Sequence, residues 1–172
     1  MPVLKASRFL LRPYRKGDEA SLQQAINDKE IARNILTIPY PYTIGDARFW
    51  IRRVLKLAKQ RKKTEIDFVI DIRGEVAGSV SLFHIDGHQA EVGYWLARKH
   101  WGQGLMTEAV LLATRYAFET LKLRRLYAYV FPPNKASIRV LEKCGFLYEG
   151  TLRKHVKKDG KLMDDRLYAK VR

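Results

Sequence analysis

Stretches in which apolar residues fall at every second position alternate with stretches in which they recur every third or fourth. Phe9 to Tyr14, Phe68 to Ile70, Val76 to Ile85, Ala90 to Ala97 and Arg125 to Phe131 read as strands, and two more joined at Asp159-Gly160 close the chain. Arg73-Gly74 and Asp86-Gly87 are turn signals between them. Ala90 to Ala97 is almost continuously apolar, the pattern of a central strand covered on both faces. Asp18 predicts the cap of a helix running to about Asn27. Gly45-Asp46 opens a second helix, in which Ile51, Val54, Leu55 and Ala58 share one face. Leu105, Ala109, Ala113 and Ala117 give a third helix a small apolar face suited to close packing on a sheet. Asn134 predicts the N-cap of a fourth, with Gly145 at its C′ position. Pro39-Tyr40-Pro41-Tyr42 predicts a loop. These elements make an α/β protein, a mixed sheet with helices on both faces, and 172 residues suit a single domain over 1–172.

Charge adds a preference for partners. There are 33 Lys+Arg against 18 Asp+Glu, a balance that favours polyanions such as nucleic acid, the ribosome, acidic lipid or a nucleotide cofactor. Arg52, Arg53, Lys56, Lys59, Arg61, Lys62 and Lys63 fall in one stretch without an acid. That stretch is either a solvated helix face or a binding face. Arg153, Lys154, Lys157, Lys158 and Lys161 form a second cluster. The single cysteine, Cys144, allows no internal disulfide and reads as a packed thiol, which fits a reducing cytoplasm. No signal-peptide pattern and no apolar run long enough to cross a bilayer is present, so no membrane role is expected. No His, Cys, Asp or Glu cluster has metal-ligand spacing, and no metal is expected.

The segment from Trp95 to Ala109 carries the chemistry. A strand runs through Trp95, Leu96 and Ala97 into a turn with Gly102, Gln103 and Gly104, and the turn runs into a helix beginning with Leu105, Met106 and Thr107. Unpaired first-turn N–H groups at the positive end of a helix dipole bind phosphate. The two glycines let a bulky anion approach the backbone. A glycine-rich turn with no ligand is the competing reading.

This segment resembles a motif when it is taken with Arg125 to Phe146. The pieces are Glu91-Val92-Gly93-Tyr94-Trp95-Leu96, Trp101-Gly102-Gln103-Gly104 with Glu108-Ala109, Asn134-x-x-Ser137, and Leu141-Glu142-Lys143-x-Gly145-Phe146. Ser7 to Pro13 and the closing Asp159-Gly160 hairpin with Asp164 and Tyr168 fit too. The chain resembles the GNAT superfamily of acyl-CoA-dependent N-acetyltransferases, more narrowly the RimJ/RimL type that acetylates N-termini of ribosomal proteins.

The resemblance implies a mostly antiparallel sheet of about seven strands whose central strands splay apart. It implies acetyl-CoA as co-substrate, with its pyrophosphate on the N–H groups of Gly102, Gln103, Gly104, Leu105, Met106 and Thr107. The pantetheine arm would run along Trp95, Leu96 and Ala97 and meet Asn134. The oxyanion donor would be a backbone N–H near Leu96. Lys99 stands where the family has Gln or Arg, and keeps the positive charge. The family's acidic Tyr is replaced by Leu141, so Ser137 is the candidate acid.

Glu91, a carboxylate in an apolar strand, is the candidate base, because burial raises a carboxylate's pKa. A carboxylate paired with a nearby cation is the alternative, and His84 and His88 are fallback bases. Leu36 to Thr43 and Arg153 to Asp165 are expected to line the acceptor's entrance, with Tyr40, Tyr42, Asp164 and Asp165 as the groups to watch. The acceptor is expected to be a protein N-terminus, with a transient ribosome contact, and the chain a monomer or homodimer. A small-molecule amine such as an aminoglycoside or polyamine, or a silent acyl-CoA- or ribosome-binding module, are the competing readings.

Overall fold

The computed structural model describes residues 1–172. Its strands are β1 (Leu4–Lys5), β2 (Leu10–Pro13), β3 (Ile66–Ile72), β4 (Glu75–Asp86), β5 (Gln89–Leu96), β6 (Arg125–Val130), β7 (Leu147–Lys158) and β8 (Lys161–Val171). The helices are α1 (Glu19–Ile26), α2 (Lys29–Arg33), α3 (Ile44–Ala58), α4 (Leu105–Glu119) and α5 (Lys135–Lys143). The eight strands form one sheet in the order β1-β2-β3-β4-β5-β6-β8-β7. Every neighbouring pair is antiparallel except β5 and β6. A parallel pair needs a long crossover, and α4 supplies it. The strand beyond the expected seven is β1, two residues too short to show a period.

The sheet separates two cores. Val80 and Leu82 on β4, Val92 and Leu96 on β5 and Leu126, Ala128 and Val130 on β6 pack with α4 and α5. On the opposite face, Leu22 and Ile26 of α1 and Ala47, Ile51 and Val54 of α3 pack with Val69 and Val76, and Trp95 lies against them. Strands β6, β8 and β7 contribute nothing to this second core, so their face beside α1–α3 carries no helix.

Local chemistry explains the departures from the sequence reading. Asp18 does not cap α1 with its side chain. Its carboxylate takes Arg12 at 2.7 and 2.8 Å, and Arg12 also donates to Asp71 at 2.6 Å. All three groups are buried. Breaking such a network by removing one partner costs about 3–5 kcal/mol. Helix α3 starts one residue earlier than expected because Thr43 and Asp46 form a capping box. It ends at Ala58, so Arg61, Lys62 and Lys63 lie beyond it. Arg53 is not part of a basic outer face: it pairs with Glu65 at 2.6 Å and lies over the Trp50 ring. Helix α2, unforeseen, is five residues long and is capped by Asp28.

The central pairing is brief. Gln89, Ala90 and Glu91 pair with Arg125, Leu126 and Tyr127, and no further. Beyond that point β5 stays with β4 as far as Leu96, while β6 stays with β8 as far as Val130. The two central strands therefore part just after Glu91.

Candidate active site

The gap between β5 and β6 exposes a strand edge. Ala97 donates to Ala77 at 2.8 Å, which fixes the alternation along β5. Trp95 and Ala97 direct their main-chain groups to β4, and Tyr94 and Leu96 direct theirs into the gap. The Leu96 carbonyl accepts from Trp101 Nε1 at 2.7 Å. The Leu96 N–H is then the donor facing the gap. Gly78 keeps β4 close behind this edge, since a Cβ there would lie 2.5 Å from the Trp95 carbonyl oxygen.

The edge leads into a helix start. After a short 3-10 turn at Arg98–His100, Gly102 and Gly104 take φ of 73° and 75°, and α4 begins. Glycine is used here for backbone conformation, because a Cβ on Gly102 would meet nothing within 4 Å. The first helical bond runs from Glu108 N to Gly104 O, at 3.1 Å. The N–H groups of Leu105, Met106 and Thr107 thus have no helical acceptor. The Gln103 side chain folds back on Lys99 O at 3.1 Å, so Gln103 offers the gap its backbone alone. Arg8 is a cation that the sequence reading left out of the site. It donates to Gln103 O at 2.9 Å and pairs with Glu108 at 3.1 Å.

Ser137 lies across the gap, in the first turn of α5. Asn134 caps that helix, its Oδ1 accepting from Ser137 N at 3.1 Å, a bond worth about 1 kcal/mol. Ser137 Oγ is 2.8 Å from the Tyr94 hydroxyl, which also donates to the Ser137 carbonyl at 3.0 Å. Burial pushes the Tyr94 phenol far above its usual range, so it stays protonated. Cys144 is buried beside the same helix, with Sγ 3.5 Å from Thr107 O. Burial raises its pKa to about 11, which makes it a packed thiol rather than a nucleophile.

Glu91 stands on the opposite face, at the point of parting. Its side chain is 24% exposed and lies 3.1 Å from His84 Nδ1. Burial pushes its pKa up, His84 opposes the shift, and Asp165 adds to it. Its partner is therefore a histidine and not a Lys or Arg. His88 is exposed, and it is His84 that is hydrogen-bonded to the Glu91 carboxylate.

Around Glu91 the face bears polar and aromatic groups drawn from several strands. Tyr127 and Tyr129 of β6 meet edge to face with ring centroids 5.7 Å apart. The His155 ring lies 5.2 Å from Tyr129, and its Nδ1 is 2.9 Å from Asp165 Oδ2. The β7–β8 hairpin reaches the segment before Leu36 to Thr43, with Lys158 Nζ donating to Ile35 O at 2.8 Å. Tyr40 is exposed there. Tyr42 is not: its side chain is buried in the core under α1 and α3. No group of three His, Cys, Asp or Glu side chains is placed to hold a metal ion.

Comparison with known proteins decides the family. A model of the acetyltransferase (GNAT) domain matches residues 8–147. The chain belongs to the GNAT acetyltransferases. It is 50% identical to a probable N-acetyltransferase, YjcK, of Bacillus subtilis, over 97% of this chain and 96% of that one. It is 30% identical to spermidine N(1)-acetyltransferase of Escherichia coli over 83% of this chain and 74% of that protein. The solved structure of Mycobacterium smegmatis RimJ, in complex with CoA-disulfide, superposes with a TM-score of 0.85 at 26% identity, covering 95% of this chain and 81% of RimJ. The chain is accordingly an acetyl-CoA-dependent N-acetyltransferase of RimJ/RimL-like architecture.

For a GNAT enzyme the arrangement divides the work between two faces. One side of the gap offers main-chain donors and a hydroxyl at Ser137. The other offers Glu91 among His84, His155 and two tyrosines. Sequence reading missed Arg8, Tyr94, Tyr127, Tyr129 and His155. Tyr94 lay inside a motif already quoted and was passed over as a strand residue.

Proposed function

We propose that this chain, as one domain over 1–172 acting in the cytoplasm, transfers the acetyl group of acetyl-CoA to the N-terminal α-amine of a protein. The observation that carries the reading is the parting of β5 from β6 next to the free N–H groups at the start of α4. The backbone of Gly102, Gln103, Gly104, Leu105, Met106 and Thr107 holds the pyrophosphate, with Arg8 adding charge. Along the Tyr94 to Ala97 segment, Tyr94 and Leu96 offer a strand edge to the extended pantetheine, Trp95 and Ala97 bond that edge to β4, and Asn134 holds α5 on its far side. The bound thioester supplies an activated acyl carbon.

Four acts are then left to the protein. Glu91 accepts a proton from the acceptor nitrogen, for which a raised pKa suits it. The Leu96 N–H donates to the oxyanion that develops on the acyl oxygen. Ser137 donates to the departing sulfur by turning its O–H away from Tyr94, whose own proton stays on the Ser137 carbonyl. The gap keeps donor and acceptor in line.

Three observations support a peptide acceptor. The face of β6, β7 and β8 beside Glu91 is covered by no helix. The β7–β8 hairpin brings Lys154, Lys157, Lys158 and Lys161 to the entrance. The formal net charge of +15 suits a transient encounter with ribosomal RNA and opposes a polycation. The spermidine relative keeps a small polyamine as the second reading.

The test is thiol release from acetyl-CoA with N-terminal peptides and small amines, beside a thermal shift with acetyl-CoA alone. Stabilisation with turnover of one peptide class is the expected result. Turnover of polyamines and of no peptide overturns the acceptor assignment, and absence of stabilisation overturns the phosphate loop.

A further inference from the structure

The acceptor nitrogen arrives as an ammonium and leaves as an amide, so it sheds two protons in each turnover. Glu91 is one acceptor. A second carboxylate–imidazole pair stands on the same face, and the roles assigned so far do not use it. Asp165 on β8 is 4% exposed, and its Oδ2 lies 2.9 Å from His155 Nδ1. The His155 side chain is 37% exposed.

The placement of this pair is built into the hairpin. The β7–β8 register shifts between Leu152 and Val156, Lys154 takes φ of 51°, and Asp164 Oδ1 accepts from Lys154 N at 2.7 Å. A bulge of this kind re-aims a side chain. Here it sets the His155 ring against Tyr129. Tyr129 in turn lies two residues along β6 from Tyr127, whose strand partner is Glu91. Glu91 feels the charges of both Asp165 and His155.

We propose that His155, oriented by Asp165, is a second catalytic base, which takes the first proton from the incoming ammonium. This rests on the transferase reading above. With Asp165 accepting from Nδ1–H, the lone pair sits on Nε2, which has no protein partner. The N–H bond of the ammonium breaks, the proton passes to Nε2, and the electron pair remains on nitrogen for attack on the acyl carbon. The imidazolium is balanced by Asp165 and, being half exposed, passes its proton to water. Glu91, deeper in the gap, takes the second proton as the amide forms.

The charged and titratable groups around His155 are Asp165 on β8, Tyr129 on β6, Glu91 on β5 and its neighbour Lys154 on β7. The experiment compares wild type with His155→Gln on the same α-amine acceptor at pH 7 and pH 9. Glutamine is polar and neutral and cannot take up the proton. The expected loss of turnover at pH 7 is about tenfold, because only about a tenth of an α-amine is neutral at that pH. It shrinks at pH 9, where an α-amine, with a pKa of about 8, is already neutral. Nitrogen-15 spectra of labelled histidine, recorded without substrate, are expected to show the Nδ1–H tautomer at His155 and to lose it in Asp165→Asn. A loss that is equal at both pH values means that His155 is only structural, and overturns the proposal, as does wild-type turnover in His155→Gln. A wild-type protein that acetylates no amine at all overturns the transferase reading and this inference with it.

Discussion

The two sides of the gap are made of different materials. The side assigned to the acyl donor is backbone: the edge of β5, two glycines in left-handed conformation and the first turn of α4. The side assigned to the acceptor is side chains: Glu91, His84, Tyr127, Tyr129, His155 and Asp165, from β4, β5, β6, β7 and β8. A backbone site is set by conformation and tolerates substitutions that preserve it. A side-chain site depends on each group.

The comparison is broken most forcibly at Glu91. Glu91→Gln is expected to lower turnover by roughly 10²–10⁴-fold while leaving the dissociation constant for acetyl-CoA within about twofold, read by calorimetry. A large loss of acetyl-CoA binding would join the two sides that are separated here.

On the donor side, Gly104→Val forces a β-branched residue into φ of 75°. Strain of about 1–3 kcal/mol is expected to weaken acetyl-CoA roughly tenfold to a hundredfold. Gln103→Ala, at the preceding residue of the same loop, keeps the N–H and is expected to change affinity by less than about twofold. Equal losses for the two would mean that side chains, not the main chain, hold the phosphates.

Ser137→Ala is expected to lower turnover about tenfold with little effect on acetyl-CoA affinity. Unchanged turnover removes Ser137 from the mechanism. A smaller effect is expected in the pH profile. Glu91 must be ionised to accept a proton, and burial has raised its pKa. Activity is therefore lost as pH falls through a value above the ordinary carboxylate range. His84 opposes that shift, so His84→Gln is expected to move the acid limb of kcat/KM to higher pH. Smallest of all, Arg8→Ala is expected to weaken acetyl-CoA a few-fold at low salt and less at high salt, because Arg8 is half exposed and already paired with Glu108.

The same division decides what was legible in the sequence. Gly102 and Gly104 before an apolar helix announce the donor loop, since glycine spacing and helical period are local properties of the chain. Asn134 and Gly145 marked both ends of α5 for the same reason. On the acceptor side Glu91 was legible as a charge in an apolar strand, and His84 and Asp165 were named beside it without their partners. His155 gave no signal, because its direction depends on a register shift that pairing with β8 imposes. Asp18 stands at the N-cap of α1 as read, but its side chain was not legible for a related reason: a capping residue and the carboxylate of a buried ion pair look alike until Arg12 is folded beside it. Tyr42 resembled its neighbour Tyr40 in sequence, yet the core claims one and leaves the other in water.

The parting of the central strands has a mechanical meaning. Three rungs, at Gln89, Ala90 and Glu91, are the whole ladder between the β1–β5 half of the sheet and the β6–β8 half. Such a sheet is an open book with a short spine. An acyl donor lying along Tyr94 and Leu96 acts as a missing page, extending one ladder and filling the space before the other. The substrate is then part of the architecture. Its arrival should slow amide exchange in β5 and β6 as well as in the loop that grips its phosphates, and its departure should loosen both halves together.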